Sequence, residues 1–78
     1  FPAGPVQVVE MTLGSAADGI AVSRLEIDGQ LRVAAIQRDG EVRIPHAQYE
    51  LRDGDLVVAA VRSGVAARIH KYLAEEAS

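Results

Sequence analysis

Hydrophobic and polar positions follow a period that changes along the chain, and turn residues mark each change. Val6 to Leu13 is rich in β-branched residues and polar only at Gln7, Glu10 and Thr12, a pattern that predicts a strand. Leu31 to Gln37 reads Leu-Arg-Val-Ala-Ala-Ile-Gln, nearly continuously apolar, and predicts a strand covered on both faces. Glu41-Val42-Arg43-Ile44 alternates polar and apolar, and Leu56 to Val61 is an unbroken apolar run suited to the centre of a sheet. From Ser63 the period lengthens. Val65, Ile69, Tyr72 and Leu73 recur at i, i+4, i+7 and i+8, which predicts a C-terminal helix with Ser63 able to act as its N-cap.

Asp-Gly pairs at 18–19, 28–29, 39–40 and 53–54 punctuate these runs, because both residues tolerate positive φ. Asp39-Gly40 between two strand patterns predicts a β-hairpin closed by a two-residue type I′ turn, with Arg38 at its rim. Pro45 has no amide proton, so it ends the second hairpin strand or confines it to an edge. Ser15-Ala16-Ala17-Asp18 has the spacing of a capping box, and Ile20 to Leu25 has room for one or two helical turns. The order is strand, short helix, three strands, helix (β-α-β-β-β-α). This is an α+β fold: a small, mostly antiparallel β-sheet with its helices on one face.

Composition narrows the function classes. At 78 residues the chain is one small domain, and 49% hydrophobic residues are enough for a packed core. That core is aliphatic, since the aromatic residues are Phe1, Tyr49 and Tyr72. A net charge of −3 argues against a nucleic-acid partner. Seven of the eight basic residues are arginine, the side chain suited to bidentate recognition of carboxylate or phosphate. The absence of cysteine removes disulfide and thiolate chemistry and fits a domain kept in a reducing cytoplasm. No apolar run approaches the ~20 residues of a membrane span, so direct membrane insertion is not expected. Residues 1–5, Phe-Pro-Ala-Gly-Pro, read as the remnant of an interdomain linker, with the domain proper over 6–78.

The usual catalytic constellations are missing. The sequence has no Gly-x-Gly-x-x-Gly, no phosphate-binding Gly-x-x-x-x-Gly-Lys loop and no Gly-x-Ser-x-Gly. Asp53-Gly54-Asp55 lacks the later ligands of a calcium loop and reads as a turn whose carboxylates accept backbone amides. His46 and His70 are too few for a zinc site, so no metal is expected. His70 suits the end of a helix, whereas His46 follows Pro45 beside the rim where Arg38 and Arg43 emerge, a position from which it could contact an anion. An enzyme is therefore not expected.

Two stretches carry a family resemblance. Leu31-x-Val-Ala-Ala-Ile-Gln-Arg38-Asp-Gly-Glu-Val-Arg-Ile44-Pro45, followed by Leu51-Arg-Asp-Gly54-Asp55-Leu56-Val57-Val58, resembles the TrkA-C domain, also called the RCK C-terminal domain, of bacterial potassium-transport regulators. Gly19-Ile-Ala-Val-Ser-Arg-Leu25 occupies the place of that family's short helix, with Ile20 and Ala21 where Lys and Thr are usual. The resemblance implies a regulatory domain that follows a Rossmann-type domain binding NAD or ATP. It implies homodimerisation, a cytoplasmic location peripheral to the inner membrane, and a membrane potassium transporter or channel subunit as partner. In some relatives the dimer cleft takes cyclic di-AMP. By that likeness Ile36 and Ile44 would lie against the bases, Arg38 on phosphate, and Pro45 and His46 at the closing rim. Two other readings stand beside it: a pure assembly module with no ligand, and the same domain appended to another cation or anion transporter.

Overall fold

The computed structural model describes residues 6–74. The apolar runs become strands β1 (Val6–Thr12), β2 (Leu31–Arg38), β3 (Glu41–Arg43) and β4 (Leu56–Arg62). They form one antiparallel sheet in the order β1-β4-β2-β3, so the last strand in sequence is inserted between the first two. The central position of β4 follows from its composition, since an all-apolar run is costly at an edge.

One face of the sheet is covered. Val57, Ala59 and Val61 of β4 point into the core with Leu31, Val33 and Ile36 of β2. They meet Leu13, Ala17, Val22, Leu25, Leu51, Val65 and Ile69 from the connections. The expectation that β2 is covered on both faces is corrected here, because Arg32, Ala34 and Gln37 are exposed. An irregularity in register between Val33 and Ala35 moves the buried phase by one residue, from Leu31 and Val33 to Ile36. Ala34-Ala35 at that point makes an alternating strand read as a continuous apolar one. The Glu26 carboxylate accepts the Val33 amide beside the irregularity, at 2.9 Å.

The connections are short. Ser15–Ala17 is a 3₁₀ turn, and helix α1 (Val22–Leu25) buries Val22 and Leu25, three residues apart on one face. Gly14 holds the N-cap position without a side-chain bond, so Ser15 opens the turn instead of capping it. The first amides of α1 are donated across the fold, Val22 to the Tyr49 carbonyl and Ser23 to that of Ala47, at 2.9 Å each. This ties the helix to the segment that follows the hairpin.

The helical segment expected at the C-terminus is two 3₁₀ turns, Val65–Arg68 and His70–Tyr72. Val65 and Ile69 face the core as their spacing predicts. However, Ile69 at φ −111°, ψ 9° leaves helical geometry, and Tyr72 bonds back to Ile69 with i→i+3 spacing. Leu73 then leaves the turn to bridge Leu13. The expected linker at residues 1–5 and the last residues, 75–78, lie outside the described part. The architecture is otherwise the expected α+β arrangement.

Candidate functional site

The β2–β3 hairpin turns on Asp39 at φ 52° and Gly40 at φ 80°, the paired positive φ values of a type I′ turn. Arg38 ends β2 at its rim. Because Gln37 pairs with Leu56, the next step of the ladder sets Arg38 opposite Asp55, which directly precedes β4. The Arg38 guanidinium donates from Nε to Asp55 Oδ1 and from Nη2 to Asp55 Oδ2, both at 2.7 Å. The same Nη2 reaches the Glu50 carbonyl at 3.0 Å, and the Arg52 amide donates to Asp55 Oδ2 at 2.9 Å. Asp55 is 1% exposed and is the one buried charged side chain among the described residues.

This geometry sets the electrostatics. Burial alone would push the Asp55 pKa up, but the hydrogen bonds from the Arg38 guanidinium and the Arg52 amide, together with the charges of both arginines, outweigh it. The carboxyl is held below its ordinary value. The hydrogen bond to Asp55 in turn raises the Arg38 pKa, against burial, so the guanidinium is permanently charged.

Tyr49 links Arg38 to His46. The guanidinium carbon lies 5.3 Å from the Tyr49 ring centre, and His46 meets the same ring edge-on at 6.1 Å between centroids. His46 Nδ1 accepts the Gln48 amide at 3.2 Å, so the neutral ring carries its proton on Nε2. Arg38 Nη1 makes no hydrogen bond among the described residues, and the side chain is 31% exposed. Arg38 also lines an open depression of about 430 Å³ with Gln37, Asp39 and the Arg52–Asp55 turn.

The five residues singled out by sequence are thus divided. Arg38 and His46 meet through Tyr49, and Pro45 adjoins His46. Ile44 is 88% exposed at the end of the hairpin. Ile36 is 1% exposed and belongs to the core beneath β2, with no side-chain surface at the rim. Sequence reading missed Tyr49 and Asp55 as parts of this cluster. The signal for Asp55 lay in the strand register, since Arg38 and Asp55 come opposite once the hairpin strand is paired with β4. No group of three or more His, Asp or Glu residues able to hold a metal occurs among the described residues.

The sheet order, the Gly-Asp turn entering β4 and the hairpin with its Ile-Pro edge define the class as a small α+β domain built on one four-stranded antiparallel sheet. Residues 6–74 match the TrkA-C domain family, and the chain belongs to that family. It is 37% identical over 70 residues, 90% of this chain, to the Trk system potassium uptake protein TrkA of Streptomyces coelicolor. Over 59 residues, 73% of this chain, it is 37% identical to a Trk system potassium uptake protein TrkA homolog of Archaeoglobus fulgidus. The chain spans 30% of the first relative and 14% of the second. A solved structure described as an RCK domain with cda superposes with a TM-score of 0.71 at 20% identity, covering 86% of this chain and 97% of that one. That likeness is one of fold.

Proposed function

We propose that this chain is the regulatory C-terminal domain of a Trk-type potassium uptake subunit, and that it works as a homodimer sensing a small anionic effector, cyclic di-AMP above others. The family and its two TrkA relatives support the transport setting. In this reading the domain is cytoplasmic, its partner is the membrane potassium transporter, and any NAD or ATP site belongs to a separate Rossmann-type domain.

The observation that carries the ligand reading is the state of Arg38. Its guanidinium is fixed on one side by Asp55 and Glu50, Nη1 makes no hydrogen bond among the described residues, and the side chain keeps 31% of its surface exposed. An anion meeting a side chain already held in one rotamer loses little further entropy on binding. A two-fold axis doubles the feature, so two guanidinium groups face a dianion that is itself two-fold symmetric. His46 stands across the Tyr49 ring from each arginine, with Nε2 as its donor. Ile44 and Pro45 offer an apolar shelf for a base, and Ile36 supports the strand from beneath. The ligand would bias an attached gate only by binding one dimer geometry better than another.

A second reading, assembly without any ligand, is favoured by the same ion pair: Asp55 already occupies two of the three guanidinium nitrogens, and Val42 and Ile44 stand exposed on the hairpin. Thermal unfolding with cyclic di-AMP, AMP, ATP and NAD separates the two. An effector at 100 times its dissociation constant adds about 2.7 kcal/mol, which for a domain this small raises the midpoint by roughly 11–22 °C. A rise with cyclic di-AMP supports the sensor, and no rise with any of the four leaves the assembly module.

A further inference from the structure

The seven arginines fall into two groups. Arg32, Arg38, Arg43 and Arg52 each lie 3.4 Å or less from a carboxylate oxygen. Arg24, Arg62 and Arg68 form no ion pair among the described residues. Two of these three are nevertheless held in place. Arg62 Nε donates to the Gly29 carbonyl at 3.1 Å, and Arg68 Nη1 donates to the Gln30 side-chain oxygen at 3.2 Å. Both acceptors are neutral and belong to successive residues of one turn. The sheet register produces this convergence. The Arg62 amide donates to the Gln30 carbonyl at 2.9 Å, one step beyond the pairing of Leu31 with Val61. Arg32 pairs with Ala60 and so lies diagonal to Arg62 on the outer face. The turn Val65–Arg68, anchored by buried Val65 and Ile69, brings Arg68 to Gln30. Val6, Gly29, Arg32, Ala60 and Arg62 line an open cavity of about 200 Å³ at this end of the sheet.

We infer that the Gly29-Gln30 turn is an anion site in which Arg62 and Arg68 bind a phosphoryl group. Like charges that converge on one place repel. Glu26 and Asp28 offset the charge of Arg32, at 3.4 and 3.9 Å, but no carboxylate among the described residues does so for Arg62 or Arg68. A bound anion would supply the missing counter-charge. Nη1 and Nη2 of Arg62, and Nε and Nη2 of Arg68, make no hydrogen bond among the described residues. A phosphoryl group has three terminal oxygens and can accept from both guanidinium groups, whereas the two oxygens of a carboxylate are filled by one bidentate arginine. The anchoring bonds to the turn reduce the side-chain entropy lost on binding. This site is separate from the Arg38 rim, because Asp55 precedes β4 and Arg62 ends it. The strand rise sets the two roughly 23 Å apart.

Titration of inorganic phosphate into the 78-residue chain, followed by proton–nitrogen correlation NMR against chloride at matched ionic strength, tests this. Saturable shifts are expected at the Gly29, Gln30 and Arg62 amides and at the Nε protons of Arg62 and Arg68. Arg62→Gln and Arg68→Gln should each raise the dissociation constant by roughly tenfold or more. Arg24→Gln removes an equally unpaired charge that no turn holds in place, and should leave the constant unchanged. All three side chains are exposed, so the fold should be kept, and the same spectra report it. Binding to phosphatidylglycerol vesicles in excess of phosphatidylcholine vesicles, lost in Arg62→Gln, would assign the phosphoryl group to a lipid headgroup. Phosphate shifts without vesicle binding would assign it to a soluble ligand. No saturable shift, shifts confined to Arg38 and the Arg52–Asp55 turn, or equal losses in Arg24→Gln and Arg62→Gln would overturn the site.

Discussion

Arg38 and Asp55 share two hydrogen bonds of 2.7 Å across 17 residues of sequence, one from Nε to Oδ1 and the other from Nη2 to Oδ2. This pair fastens the hairpin rim to the turn that starts the central strand. The partners are unequal, since Asp55 is buried and Arg38 keeps part of its surface in water.

That inequality predicts an asymmetric response to substitution. Arg38→Ala leaves a buried carboxylate without its counter-charge and should cost about 3 kcal/mol, the low end for an orphaned buried ion. Asp55→Asn keeps an acceptor for the Arg52 amide, and Arg38 can turn to water, so about 1–2 kcal/mol is expected. Urea denaturation at neutral pH should rank Arg38→Ala as the less stable variant.

Acid should act through the same carboxyl. The folded pKa of Asp55 is depressed below its unfolded value, so the unfolded chain takes up the proton first as pH falls. The stability contributed is full above the unfolded value of about 4 and is lost as pH drops through the folded value. Stability of the wild type should therefore fall more steeply below about pH 4 than that of Asp55→Asn. Denaturation series across this range compare the two slopes directly.

Gly14 is required for space and not for its φ, which is −101°. A Cβ there would lie 2.9 Å from the Leu73 carbonyl oxygen and 3.1 Å from the Ala74 Cα, and neither is a side chain that can swing away. Gly14→Ala should cost about 1–3 kcal/mol by overpacking. Gly29→Ala, at φ 72° in open space, should cost about 1 kcal/mol through backbone strain alone.

The two isoleucines of the predicted site should part company. Ile36→Ala empties core volume and should cost about 2–5 kcal/mol. Ile44→Ala touches an exposed side chain and should change stability by less than about 0.5 kcal/mol while weakening effector binding. Thermal unfolding with and without cyclic di-AMP measures both effects in one series.

Much of this was legible in the chain. Period-2 and all-apolar runs located the strands, and Asp39-Gly40 located the hairpin, because turn chemistry and side-chain alternation are local. What escaped was non-local. The partner of Arg38 is Asp55 and not its neighbour Asp39, a choice made by the register of β2 on β4. The side on which Ile36 falls depends on the irregularity between Val33 and Ala35, hidden in two consecutive alanines. At the C-terminus the spacing of Val65 and Ile69 marked the buried face correctly, yet the same spacing serves two 3₁₀ turns once Leu73 is drawn away to bridge Leu13. Tyr49 gave no pattern at all, since its place beside Arg38 and His46 arises from the hydrogen bonds that fasten Ala47 and Tyr49 to α1 and Leu51 to Gly19 and Ile20.

The most direct test of the effector-sensing account is calorimetric titration of cyclic di-AMP into the wild type and into Arg38→Lys. Lysine keeps a charge for Asp55 but lacks the planar fork and the third nitrogen, Nη1, that Asp55 and Glu50 leave unused. The account predicts one ligand per two wild-type chains, and binding to Arg38→Lys weakened by at least tenfold, about 1.4 kcal/mol, with the folded midpoint largely kept. No heat from the wild type, or equal affinity in the two proteins, would contradict it.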